Sequence, residues 1–116
     1  MTWEEANTTC LNLGAQLASV HSLEKNIYLY ILCGSENSCW IGFNDVAVEG
    51  EWKWSDESIV EFINWEVNQP NNHGNEDYAV IVGKTSQWND VRASVNGYAI
   101  CQKSDTKPAI VWSVLW

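Results

Sequence analysis

Between residues 68 and 90 the chain gathers side chains able to hold a hard cation. Gln69-Pro70-Asn71-Asn72 opens the stretch, Gly74, Glu76 and Asp77 follow, and Trp88-Asn89-Asp90 closes it. The donors are amide and carboxylate oxygens. Calcium takes about six to eight oxygen ligands of this kind and tolerates the irregular geometry of a loop. No His/Cys cluster offers zinc its usual ligands. The same residues also read as a solvated polar loop capped by a tryptophan. Asp45 and Glu49 form a second acidic pair that reads equally as a hairpin loop of solvated acids. Covalent chemistry has less to work with. The four cysteines pair off and the two histidines lack evident partners, so no Ser/His/Asp or Cys/His nucleophile is supported. Glu76 and Asp90 could mimic the paired carboxylates of a glycosidase.

Such donors need a frame. Thr2 followed by Glu5 is a capping-box pattern, and Trp3, Ala6, Cys10 and Leu13 recur on one helical face until Gly14. A first amphipathic helix is expected there, with its Trp and Leu in the core. Residues 17–20 read as a short strand. Ser22 can cap a second helix whose Leu23, Ile27, Tyr30 and Ile31 share a side. His21, at that junction, reads as structural or merely exposed. Residues 40–44, 51–54, 78–82, 87–88 and 98–102 read as strands, and Ser55-Asp56-Glu57-Ser58 as a turn. Trp65 is expected to anchor the loop in the core, because an indole buries a large apolar area while its N–H seeks an acceptor. Towards the end, Ser104-Asp105-Thr106-Lys107-Pro108 has turn composition and residues 109–116 have strand composition.

A chain of 116 residues fits a single domain, 1–116, able to bury roughly 65% of its unfolded surface. The formal charge of −9 argues against nucleic acid or an anionic membrane surface, since both require Lys and Arg at the contact. Bound calcium would offset part of that charge. No apolar run approaches the ~20 residues that span a bilayer. Met1-Thr2-Trp3-Glu4 lacks the basic start and apolar stretch of a signal peptide, so the chain reads as mature or excised. The even set of cysteines suits an oxidising compartment without choosing its connectivity. A bridge between Cys33 and Cys39 across their short polar loop is sterically easy if the ends converge. Asn7-Thr8-Thr9 is a glycosylation acceptor pattern and agrees with a secreted or extracellular location.

The order of the polar groups, Gln-Pro-Asn, then Asn-x-Gly-x-Glu-Asp, then Trp-Asn-Asp, resembles the calcium and sugar site of C-type lectin domains. Further landmarks fall in that family's order: Trp3-Glu4-Glu5-Ala6, Cys10, Leu17-Ala18-Ser19-Val20, Trp40-Ile41-Gly42-Phe43-Asn44-Asp45, Trp52-Lys53-Trp54-Ser55-Asp56, Asn64-Trp65 and Ile100-Cys101. The resemblance implies an α+β fold, with two helices flanking small antiparallel sheets and a long calcium-binding loop. It implies a long Cys10–Cys101 disulfide beside Cys33–Cys39, and a cis peptide bond before Pro70 that turns the Gln69 and Asn71 oxygens to one point. Gln69, Asn71, Glu76, Asn89 and Asp90 would coordinate the principal calcium and bind two neighbouring sugar hydroxyls. Asp45, Glu49, Asn72 and Asp77, with the Glu76 carbonyl, would hold an auxiliary calcium. His73 would either pack on a sugar face or fill the loop. The family's second usual bridge is missing, because Tyr78 and Ala93 stand where cysteines are common. Glu57 stands where the family often has glycine. Family members also usually begin with a strand ahead of the first helix, and residues 109–116 are expected to supply it, as a circular permutation would.

These correspondences imply a calcium-dependent carbohydrate-binding domain and not an enzyme, because Glu76 and Asp90 match metal-ligand positions. Its partners would be glycans or glycoproteins. A shallow site binds weakly, so avidity would come from several copies, although no heptad stretch is present to build a homo-oligomer. Mannose-type members resemble Glu-Pro-Asn at this loop and galactose-type members Gln-Pro-Asp; here both outer positions are amides. The hydroxyl between Gln69 and Asn89 would therefore meet two donors, and the principal site would hold two carboxylates instead of three. The expectation is weak calcium and relaxed choice, leaning to galactose or N-acetylgalactosamine. The alternative is a C-type lectin-like module whose same surface meets protein or ice.

Overall fold

The computed structural model describes residues 1–71, 75–103 and, as backbone, 111–114. The capping box forms as expected. Thr2 Oγ1 accepts from the Glu5 amide and the Glu5 carboxylate accepts from the Thr2 amide, starting helix α1 (Trp3–Asn12). Ser22 caps α2 (Leu23–Cys33) through the Lys25 amide. The strands are β1 (Gln16–Leu17), β2 (Ser38–Asn44), β3 (Lys53–Trp54), β4 (Tyr78–Val82), β5 (Trp88–Val91), β6 (Tyr98–Gln102) and β7 (Val111–Val114). They join in one seven-stranded sheet of order β1-β6-β2-β4-β5, with β3 on β2 and β7 on β6. One pairing departs from the antiparallel expectation: β2 and β6 run parallel, with Cys39 opposite Tyr98.

Period-two alternation divides the apolar side chains between the sheet's two faces. Cys39, Ile41 and Phe43 of β2, Ala79 and Ile81 of β4 and Ile100 of β6 join Leu29 and Cys33 of α2. Trp40, Val80, Ala99 and Cys101 turn the other way and join Ala6 and Cys10 of α1. Because β2 is buried on both faces it reads as an unbroken apolar run. Gly42 is required there, since a Cβ would lie 2.9 Å from the Leu17 carbonyl oxygen. Two disulfides, Cys10–Cys101 and Cys33–Cys39, tie α1 to β6 and α2 to β2.

Several expectations need correction. Leu13 is the C-cap of α1 and is 47% exposed, although Ala6 and Cys10 of the expected face are buried. The apolar side expected of α2 faces largely outwards: Leu23, Ile27 and Ile31 are exposed, whereas Asn26, Leu29 and Cys33 are buried. Of the strand expected at 17–20 only Leu17 falls within a strand, Gln16–Leu17. Ala18 to Val20 are buried all the same, and the Ala18 backbone bonds to Ile100 and Gly42. The strand expected at 87–88 begins at Trp88 and runs to Val91.

Trp3 accounts for the two positions where the family's second bridge would lie. Its ring packs on Tyr78 at 4.4 Å and its amide donates to the Ala93 carbonyl at 3.0 Å, so helix α1 clamps the β4–β5 hairpin without a covalent link. Val111–Val114 lies antiparallel to β6, with Gln102 opposite Val111 and Ala99 opposite Val114. Residues 109–110 and 115–116 lie outside the described residues. Among the described residues no helix is long and apolar enough to cross a membrane.

Candidate functional site

The open ends of β2, β4 and β5 carry the candidate ligands. Antiparallel register sets Asn44 opposite Tyr78, which places the residues just beyond, Asp45 and Asp77, side by side. The Asp45 amide donates to the Asp77 carbonyl at 3.1 Å. The loop after β2 turns back, held by the Gly50 amide on Asp45 Oδ2 at 2.9 Å, and returns Glu49 to the same point. One carboxylate oxygen from each of Asp45, Glu49 and Asp77 then lies within 4.8 Å of the others.

Like charges this close resist full ionisation. Contact with Asp45 is the main cause that pushes the Glu49 carboxyl up to about 7, with desolvation and the charges of Asp45 and Asp77 adding to it. The Asp77 carboxyl is also raised, first by burial and then by Asp45, with the Asp90 charge contributing. Asp45 Oδ1 and Asp77 Oδ1 are buried without a hydrogen-bond partner among the described residues. A buried oxygen left this way carries its full desolvation cost, which a cation would relieve. Three carboxylates and no nitrogen or sulfur make a donor set that suits calcium.

A second group forms along the segment that enters the long loop. The Trp88 amide donates to the Asn64 carbonyl at 2.9 Å and the Glu66 amide to the Trp88 carbonyl at 2.8 Å, so residues 64–66 run beside β5. The Gln69 amide closes a turn on the Glu66 carbonyl, and the Gln69–Pro70 peptide bond is cis, as expected. Asn71 then donates its amide to Asp90 Oδ2 at 3.0 Å. Gln69 Oε1 is buried and lacks a hydrogen-bond partner among the described residues. Asp90 is fully buried, and Asn89 and Glu76 are half-buried. The Asn71–Asp90 contact therefore joins the loop entrance to β5, Gln69 lies two residues before Asn71, and chain continuity sets Asn89 beside Asp90 and Glu76 beside Asp77. Asn72 and His73 lie outside the described residues.

An aromatic cluster supports this segment. Trp65 is half-buried, with Trp52 at 4.7 Å, Phe43 at 5.7 Å and Trp88 at 5.9 Å between ring centres. Phe43 also meets Trp54 at 4.4 Å.

Two features escape a sequence reading. Asn26, a polar residue mid-helix, is fully buried: its Oδ1 accepts from the Trp88 indole at 2.8 Å and its Nδ2 donates to the Ser86 carbonyl at 2.8 Å. His21, for which no partner was evident, meets Ser58 Oγ through Nε2 at 3.0 Å and Glu61 through Nδ1 at 3.7 Å. That line has the order of a hydrolytic triad. However, the Ser58 hydroxyl donates to Asp56 Oδ1, which takes the proton a nucleophile would pass to histidine. Asp56 also accepts from Ser19, and these hydrogen bonds hold its carboxyl below the usual range although burial acts the other way. The group ties the turn after β3 to the start of α2.

Residues 1–103 match the family model described as the lectin C-type domain. Over 111 residues the chain is 34% identical to the rat C-type mannose receptor 2, covering 94% of this chain and 8% of the receptor, so it spans a small part of that relative. The mouse scavenger receptor C-type lectin carbohydrate-recognition domain superposes with a TM-score of 0.82 at 31% identity, covering 92% of this chain and 84% of that one. A calcium-independent type II antifreeze protein superposes equally well, with a TM-score of 0.82 at 31% identity, over 95% of this chain and 81% of that one.

Proposed function

Because the chain belongs to the C-type lectin domain family, we propose that it is a calcium-dependent carbohydrate-binding domain with a weak monosaccharide site. The observation that carries this reading is the paired convergence of oxygen donors: Asp45, Glu49 and Asp77 within 4.8 Å, next to the Asn71–Asp90 contact that closes the entrance of the long loop. Gln69, Asn71, Glu76, Asn89 and Asp90 would hold the principal ion. Asp45, Glu49, Asp77 and Asn72 would hold the auxiliary one. Calcium, when bound, supplies coordination to two vicinal sugar hydroxyls.

The chain's own groups read the directions of those hydroxyls. Gln69 and Asn89 present amide NH2 donors on one side, and Asn71 and Glu76 present a donor and an acceptor on the other. Gln69 is the galactose-type residue, so the lean is to galactose or N-acetylgalactosamine. The domain binds without turnover, acts outside the cell in keeping with its two disulfides, and gains avidity from several copies.

Titration calorimetry with calcium, followed by a glycan array with and without chelator, tests the reading. Glu76→Gln should weaken calcium binding more than Glu66→Gln, whose carboxylate accepts from Thr85 outside the cluster. Equal melting curves with calcium and with chelator would sink it, because a ligand bound only by the folded state must stabilise that state. One observation favours a second reading, a module that meets ice or protein without calcium: the likeness to the calcium-independent antifreeze protein. Binding that survives chelator would select it.

A further inference from the structure

We infer that Asn26 is a positioning residue for the principal calcium and sugar site, although it sits on helix α2 and touches none of the proposed ligands. This rests on the calcium reading above. The placement follows from one run of hydrogen bonds. Asn26 spends its acceptor on the Trp88 indole and its donor on the Ser86 carbonyl, both at 2.8 Å, and Asn64 Nδ2 donates to the same carbonyl at 3.0 Å. The Trp88 backbone bonds in turn to Asn64 and Glu66, and the Glu66 carbonyl receives the Gln69 amide. Two residues on, the Asn71 amide returns to Asp90, which is itself two residues beyond Trp88 on β5.

The circuit joins both halves of the ligand set. Gln69 and Asn71 come from the segment bonded to the Trp88 backbone, and Asn89 and Asp90 follow Trp88 directly. Asn26 fixes the Trp88 side chain and the turn that feeds it, so it sets the height of β5 against that segment. A leucine on this helix face would fill the space but leave the buried indole N–H without its partner and the Ser86 carbonyl with the Asn64 amide alone. A polar residue mid-helix, otherwise neutral to unfavourable, therefore has a reason to be there. Coupling of this kind travels through contiguous hydrogen bonds and packed side chains.

The test is calcium calorimetry on the whole chain at a temperature where every variant is folded by circular dichroism. Asn26→Ala should raise the calcium Kd about tenfold, at the low end of what loss of a supporting partner costs a metal site. Leu17→Ala, in the core on the other face of the sheet, serves as the control for destabilisation alone and should leave Kd unchanged. Trp88→Phe removes the indole donor together with part of the buried ring, a packing loss that the Leu17→Ala control allows for, and keeps the question answerable if Asn26→Ala does not fold. It should weaken calcium in the same direction, and in the double variant the two effects should fall short of additive, as expected for groups that act through one another. A wild-type Kd in Asn26→Ala, or in Trp88→Phe if that is the variant that folds, overturns the inference while the calcium reading stands. An equal loss in Leu17→Ala does the same. Wild-type protein that binds no calcium overturns both.

Discussion

The Asp45, Glu49 and Asp77 carboxylates lie close enough to share a proton, and this gives the site a pH signature. Glu49 titrates near 7 in the folded chain instead of at 4.5. A raised carboxylate pKa means that the folded state holds its proton more tightly than the unfolded one. The resulting stability is present in full below the unfolded value and is lost as pH rises through the folded one. Without calcium, the melting temperature should therefore fall between about pH 4.5 and 7, and Glu49→Gln should flatten that part of the profile relative to wild type. A parallel profile in the variant would show that Glu49 does not carry it. Calcium bound at this cluster would displace the same proton, so its affinity should rise with pH over this window. The two amides at Gln69 and Asn71 make the second residue-level prediction. Asn71→Asp restores an anionic ligand and should tighten calcium while sharpening galactose binding. Gln69→Glu should also tighten calcium and turn preference towards mannose or fucose. If neither change moves calcium affinity or sugar choice on a glycan array, these positions do not line the site.

At the scale of elements, helix α2 owes its orientation to its partners. Its most apolar stripe, Leu23, Ile27 and Ile31, is exposed, and its inner face carries Asn26, Leu29 and Cys33. Cys33 is bound to Cys39 on β2 and Asn26 to Trp88 on β5. Those two ties fix the rotation of the helix, and hydrophobicity alone does not. Leu29→Ala should therefore cost about 2–5 kcal/mol through loss of burial and the cavity left behind. Ile31→Gln should stay within about 0.5 kcal/mol, as at an ordinary surface position. Urea unfolding measures both, and a larger loss at Ile31 would mean that the stripe is covered in solution. Elsewhere the turn after β3 places Glu57 at a φ of 67°, in the left-handed region. Glycine occupies that region without steric cost, which explains why the resembled family so often has glycine there.

Across the whole molecule, strand β6 is tied both to helix α1, remote in sequence, and to the strand that follows it in the chain. The Cys10–Cys101 bridge spans 91 residues, and β7 pairs with β6 along the edge of the sheet. We regard β7 as the stand-in for the strand that family members usually place ahead of the first helix. Deleting residues 109–116 would then strip β6 of a partner and leave an unpaired edge. The expected result is aggregation or a lower melting temperature, with any sugar binding lost only as the fold is lost. A truncated chain that stays soluble, monomeric and equally stable would refute this.

Local and ordered signals were enough for much of this protein. The capping box at Thr2 and Glu5, the cap at Ser22, the strands at 78–82 and 98–102 and the cis bond before Pro70 all follow from neighbours within a few residues, or from the order of motifs along the chain. Four cysteines and the sequence of landmarks likewise led to both disulfides and to the family. Tertiary structure decided what depends on distant partners. The inward face of α2, the burial of Asn26, the hydrogen bonds of His21 and Ser58 and the clamp of Trp3 on Tyr78 and Ala93 each join residues far apart in the chain, and no period in the sequence records them. The same is true of the acidic cluster. Spacing could pair Asp45 with Glu49, but only the register of β2 against β4 brings Asp77 to them, because a one-residue slip would turn its carboxylate to the other side of the sheet.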